Sequence, residues 1–275
     1  MRSDLVLTPG GYRHRSLVHR VERNQGVHIT EGKARLTDLT TRTIINYPEV
    51  TIKPGDIPGF GSAWVAYAYW ANTSGQPITS FRTTWQVPEP PSTDSNQIIY
   101  LFSGIDPSDP STGILQPVLQ WGRSEAGGGP YWSVASWYVA GASAGSNAYY
   151  TTPVQVNPGD TLVGAMTLTN QSGGTFDYNC EFEGISGTSL PALNHPELVW
   201  CNETLEVYNV AQCSDFPNNP NGFTGGTYDI SFNEIGLYSY AGAHITPAWS
   251  KWVATGLTPS CSYSPTVPRQ VLLQD

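Results

Sequence analysis

The stretch Ile98 to Gly122, IIYLFSGIDPSDPSTGILQPVLQWG, holds two apolar strand patterns joined by a turn-rich loop, and its reading decides the fold. Ile98, Ile99, Tyr100, Leu101 and Phe102 form the β-branched and aromatic run of a buried strand. The segment from Asp106 to Gly113 supplies the Asp, Pro, Ser and Gly residues that turn a chain back. From Ile114 to Trp121 the strand pattern resumes, with Gln116, Val118 and Gln120 on one face and Leu115 and Leu119 on the other. Pro117 lacks a ladder donor and suggests an edge strand or a bulge. Two glutamines therefore share a face, which on pattern alone reads as the wet side of a half-exposed sheet.

Working outward, the same short-strand pattern recurs on both sides of this stretch. Trp64 to Trp70 and Ile78 to Val87 read as a hairpin upstream. Downstream come Tyr131 to Val139, Ala148 to Val156, Thr161 to Thr169, Thr175 to Phe182, Glu197 to Val210, Tyr228 to Phe232 and Ile235 to Tyr240. The 275-residue chain carries 28 Gly, 22 Pro, 15 Tyr and 9 Trp with only 13% charged residues, a composition of strands and tight turns rather than of helices. Regular short strands without helical segments imply two packed antiparallel sheets, an all-β sandwich or jelly roll. Residues 1–60 are the most polar and least periodic, so they read as an N-terminal extension, either a solvated arm or a removable pro-segment. Residues 61–264 form the β-sandwich domain, and 265–275 a C-terminal tail.

Charge narrows the partners. The first 53 residues hold nine of the 13 Lys and Arg and five of the 22 acids, which leaves 17 acids against four bases beyond them. A body that acidic argues against nucleic acid or an anionic membrane as partner and suits work in acid. No window approaches the ~18 apolar residues of a membrane span, and the first thirty residues lack the apolar core of a secretory leader. Four cysteines (Cys180, Cys201, Cys213, Cys261) allow three pairings and show no zinc-ligand spacing; Cys180 with Cys201 closing a hairpin and free buried thiols stand as alternatives.

The longest strand pattern, ELVWCNETLEVYNV, puts Glu203 among Val199, Cys201 and Leu205, while Trp200, Asn202, Thr204, Glu206 and Tyr208 share the other face. A half-buried glutamate there would have a raised pKa unless hydrogen-bonded, and could serve as general base and then general acid; a structural glutamate bonded across the strands is the plainer alternative. There is no HExxH, and His195 and His244 have no visible partners in the sequence, so serine and metallo-hydrolase readings find little support.

In order and spacing, FSGID (Phe102 to Asp106), ILQ (Ile114 to Gln116), SWY (Ser136 to Tyr138), NPGDTL (Asn157 to Leu162) and ETLE (Glu203 to Glu206) resemble the glutamic peptidases, or eqolisins. WQVPEP (Trp85 to Pro90) also looks like that family's opening. The resemblance implies a concanavalin-like antiparallel β-sandwich, an acid-acting endopeptidase with polypeptide substrates, no metal or cofactor, and an extracellular location. It implies a catalytic pair at Gln116 and Glu203, with Glu206 and Glu197 as alternative counterparts because the family spaces its two late glutamates one residue further apart. Phe102, Asp106, Gln120, Ser136 and Trp137 would then line the substrate. Phe102, Gln120 and Ser136 depart from the family's Trp and two acids, so a sandwich that kept the shape without the reaction is the competing expectation. A carbohydrate-binding module stacking sugars on Trp132, Trp137, Tyr149 and Tyr150 is its variant. Sequons stand at Asn72, Asn170 and Asn202.

Overall fold

The computed structural model describes residues 4–47, 63–109, 112–141, 146–217, 229–239, 242–255, 264–266 and 271–274. Two large sheets carry nearly all of them. The first, of nine strands, runs in the order β19 (Ser250–Val253), β7 (Trp64–Ala71), β17 (Leu198–Tyr208), β9 (Ile98–Pro107), β10 (Gly113–Ser124), β11 (Gly127–Ala140), β12 (Ala148–Tyr150) and β3 (Val18–Arg20), with β13 (Val154–Gln155) also pairing to β11. The second has ten strands: β20 (Ser264–Thr266), β21 (Val271–Gln274), β18 (Asp229–Ser239), β8 (Ile78–Gln86), β14 (Thr161–Ser172), β15 (Thr175–Phe182), β16 (Leu190–His195), β4 (Gln25–Thr30), β5 (Lys33–Asp38) and β6 (Ile44–Ile45). A separate hairpin, β1 (Leu5–Thr8) and β2 (Gly11–His14), turns at Gly10, whose φ of 81° suits glycine.

The sandwich core follows from strand alternation. Ile105, Leu115, Leu198 and Cys201 of the first sheet pack against Phe81, Met166, Tyr178 and Cys180 of the second. Ile99, Leu101, Leu119 and Leu205 pack against Trp85, Leu162 and Phe182 in a second cluster. The other, outer face of the first sheet carries a third cluster of Ile98, Tyr100, Phe102, Val118, Trp137 and Val139, joined by Leu7 from the β1–β2 hairpin. The hairpin therefore covers part of that outer face.

Several expectations change. Pro117 lies in a central strand, not at an edge: β10 pairs with β11 throughout, while its ladder to β9 skips from Leu115 to Val118. That gap absorbs the missing donor, and the ring packs inward against Gly164 of β14. The N-terminal segment adds strands to both sheets: β3 runs parallel to β12, and β4 runs parallel to β16. Val27, Ile29, Ala34 and Leu36 point into the core, with His28 and Arg35 on the opposite face. Strand β18 is continuous where two were expected, and β21 pairs with it from within the expected tail. Cys180 and Cys201 are free and buried; Cys213 is disulfide-bonded.

Candidate active site on the outer face

Strand register lines up one row across the outer face. Asn202 of β17 is the partner of Tyr69 of β7 on one side and of Gly104 of β9 on the other. Gln116 lies between Leu115 and Val118, the partners of Ile105 and Phe102, so it falls opposite Gly104; on its far side it faces Trp137 of β11. The row thus reads Tyr69, Asn202, Gly104, Gln116, Trp137. Gly104 leaves a gap between the two amides: a methyl group there would come within 2.6 Å of Ile114 Cδ1 and 2.9 Å of Asn202 Nδ2.

Gln116 is 1% exposed, and neither its amide nitrogen nor its oxygen has a hydrogen-bond partner among the described residues. A bare buried amide costs about 1–3 kcal/mol, so a fold that keeps one has a use for it. Gln120, two residues on along the same face, is the opposite case. Its nitrogen donates to the carbonyls of Gly122 (2.8 Å) and Gly127 (3.0 Å), and its oxygen accepts from Ser124 Oγ (2.8 Å), so it holds the bulge at Trp121/Gly122.

Among the described residues, Asp106 is the carboxyl on this face nearest to Gln116 along the strand register. It sits on the adjacent strand, two residues beyond Gly104, which makes the two diagonal neighbours with Cβ atoms roughly 7 Å apart. Asn202 Nδ2 donates to Asp106 Oδ2 (3.3 Å), and Thr204 Oγ1 donates to Asn202 Oδ1 (2.8 Å), so a short relay aims an amide NH2 at the carboxylate. Burial raises the Asp106 pKa well above its ordinary value, and the Asn202 donor opposes that shift. Phe102 meets Trp64 edge-on at 5.8 Å and Trp137 packs on Tyr150 at 5.0 Å, fixing the walls of the site.

Glu203 is elsewhere. Its Oε1 accepts from Thr83 Oγ1 of β8, in the second sheet, at 2.8 Å, so its side chain lies between the sheets while that of Gln116 lies outside the first. Its Oε2 has no partner among the described residues, and burial raises its pKa well above the ordinary range. The expected Gln116 and Glu203 pair is therefore not assembled, because alternation along β17 sends Glu203 inward with Cys201 and Leu205. Ser136, the partner of Pro117, is buried on the inward face as well. Glu206 shares the outer face but stands four residues along from the Asn202 row, roughly 13 Å at the rise of a strand. It accepts from Gly10 N at 2.9 and 3.1 Å and from the Tyr208 hydroxyl, and burial lifts its pKa to about 7. Glu197 precedes β17.

The structure thus brings Gln116, Phe102, Asp106 and Trp137 onto one face, with Gln120 further along it. Sequence reading missed Asn202, Gly104, Thr204 and Tyr69, although alternation from Glu203 already put Asn202 on the opposite face. Trp132, Trp137 and Tyr149 are buried and present no stacking surface for a sugar. Asn202, fully buried, is closed to glycan transfer. Among the described residues no three His, Cys, Asp or Glu side chains gather in a way that would hold a metal ion, and no helix is long and apolar enough to cross a membrane.

Residues 63–186 match the model of the peptidase A4 family. The match spans 124 residues, a little under half of the chain. The span that matches the A4 family contains Phe102, Asp106, Gln116 and Trp137 and ends before β17. Scytalido-glutamic peptidase, solved with a peptide-based transition state analog, is similar at 15% identity and a TM-score of 0.47, covering 77% of this chain and 97% of that one. SCP-B, a member of the eqolisin family of peptidases in complex with the tripeptide Ala-Ile-His, is similar at 16% identity and a TM-score of 0.41 with the same coverage. The kappa-carrageenase zobellia_236 from Zobellia galactanivorans is similar at 11% identity and a TM-score of 0.29, over 68% of this chain and 81% of that one. A comparison with curated proteins found no match.

Proposed function

We propose that this protein is a secreted endopeptidase, akin to the glutamic peptidases, that hydrolyses peptide bonds on the outer face with Gln116 and Asp106, rather than a glutamate, as its working pair. The bare, buried amide of Gln116, separated from Asn202 only by a glycine and diagonal to a carboxyl, carries the reading. Ionised Asp106 takes a proton from a water whose oxygen bonds to the scissile carbonyl carbon, and the Gln116 NH2 donates to the oxygen as it becomes negative. The C–N bond then breaks, and Asp106 returns the proton to the leaving nitrogen. No covalent intermediate forms.

General-base work requires Asp106 ionised, so its raised pKa moves the acid limb of the pH profile above the ordinary carboxylate range. The upper limb falls where Glu206 ionises, at about 7, and loosens the hairpin that binds it. Activity is expected on the acid side of neutrality. Asp106→Asn is expected to lower kcat/KM on an unstructured protein substrate by about 10²-fold or more, within the range of a lost acid–base group. Glu203→Gln, on the far face, should leave it within about threefold. Loss with Glu203→Gln and retention with Asp106→Asn would return the base role to Glu203.

One observation favours a second reading, a relative that binds peptides without cutting them. Counting back from Glu206 by the spacing that the resemblance implies leads to position 202, and the residue is asparagine. An amide would then stand where the pair needs a carboxylate. Asn202→Glu separates the two: on the second reading it creates hydrolysis in an inert protein, and on the first it removes the donor to Asp106 and lowers an existing rate.

A further inference from the structure

Beside Asp106 the outer face opens into a cavity of about 630 Å³, walled mainly by Trp64, Ile114, Val199 and Trp200, with Asp106 and Ser108 as its polar members. Its indole walls are held by their neighbours. Trp200 stacks on Tyr69 at 5.5 Å and on Trp64 at 6.5 Å, and Trp64 meets Tyr67 edge-on at 5.1 Å. The rings are therefore ordered before anything binds, which spares a ligand the cost of fixing them. Asp106 lines this cavity and accepts from Asn202, a member of the row that holds Gln116.

We infer that this cavity receives one bulky apolar side chain, aromatic above all, of a polypeptide that docks beside Asp106, and so sets which peptides the protein takes. The inference rests on the peptide-cleaving reading for its substrate, and its occupant is argued from the walls. Aliphatic and indole surface makes up most of the lining, and such surface rewards apolar burial. An acidic side chain would enter a strongly acidic protein beside a further carboxyl. A basic one would have to pair with Asp106, whose Oδ2 already accepts from Asn202 and whose carboxylate the proposed mechanism uses as base.

The test uses acetyl-Ala-Ala-X-Ala-Ala-amide peptides with X as Phe, Trp, Leu, Ala, Glu or Arg. Binding is measured by calorimetry on Gln116→Ala, a position outside the cavity, and hydrolysis on the unaltered protein. The Phe and Trp peptides should bind about 10- to 100-fold more tightly than the Ala peptide, the range expected for burying one large apolar side chain. Val199→Trp, which fills the cavity from a half-buried position, should erase that preference, so that the Phe and Trp peptides bind no more tightly than the Ala peptide to the same variant; Ala71→Phe is the second filling variant. Equal binding across the series, a preference for Arg or Glu, or a Phe preference that survives both filling variants would overturn the inference. Selective binding of Phe without cleavage would sink the peptidase reading and leave the cavity assignment standing. Cleavage without selectivity would do the reverse.

Discussion

Gln116→Ala is expected to lower peptide hydrolysis by about 10²- to 10³-fold, the size of effect seen when one oxyanion donor is removed, while the protein stays folded with an almost unchanged melting temperature. Those two outcomes together distinguish a catalytic glutamine from a structural one. Truncating a buried side chain normally opens a cavity and costs stability. Here the truncated amide makes no hydrogen bond among the described residues, so removing it also removes about 1–3 kcal/mol of unpaid desolvation. The terms oppose one another, and the net shift should lie within a few degrees in either direction. Gln120→Ala supplies the contrast: it deletes bonds to Gly122, Gly127 and Ser124 and should lower the melting temperature clearly. A Gln116→Ala protein that melts far lower, or that retains full hydrolysis, would count against the assignment.

The second large effect concerns pH and stability, and it runs opposite to ordinary acid denaturation. Glu206 is held at about 7 against an ordinary glutamate value of 4.5, chiefly by burial, and Asp106 and Glu203 are raised by the same cause. For each, the unfolded chain gives up its proton at a lower pH than the folded one, so folded protein binds more protons and stability falls as pH rises. For Glu206 the loss begins near 4.5 and is complete above about 7, and a difference of that size amounts to about 3 kcal/mol. Asp38 and Asp215, with lowered values, work the other way and lose their contribution as pH drops below the carboxylate range. Thermal melts should therefore peak near pH 4 to 5 and fall by roughly 10 °C toward pH 8 in a chain of this size. Glu206→Gln should flatten the upper part of that curve. A melting temperature that climbs from pH 5 to 8 would contradict the buried, uncharged state of these carboxyls.

The fold was legible because its signal is local. Period-two alternation in Ile98 to Gly122 identified two strands and put Gln116 and Gln120 on one face, as found. The site was harder. Whether Gln116 and a late acid meet depends on the register of β17 against β9, a pairing between residues about a hundred positions apart with no local signature. Motif order pointed to Glu203, whereas its apolar neighbours Cys201 and Leu205 were the better guide, since they mark the face that packs against the second sheet. The N-terminal strands escaped notice because charged residues such as Lys33 and Arg35 alternate with Ala34 and Leu36 and make the segment look merely polar. Pro117 misled in the same way, since a proline in a central strand needs a gap in the neighbouring ladder that only the assembled sheet displays.

The place of β17 between β7 and β9 has a bearing on biosynthesis. A ribosome that has emitted the chain only as far as residue 197 has released both flanking strands, each with a row of unpaired amides and carbonyls turned toward the vacant slot. Such edges invite pairing with other nascent chains, and a strand that must arrive so late closes slowly. Until it does, the relay from Thr204 through Asn202 to Asp106 does not exist. On the proposed mechanism, competence to cut peptides is thereby withheld from unfinished copies, at the risk that a stalled one aggregates.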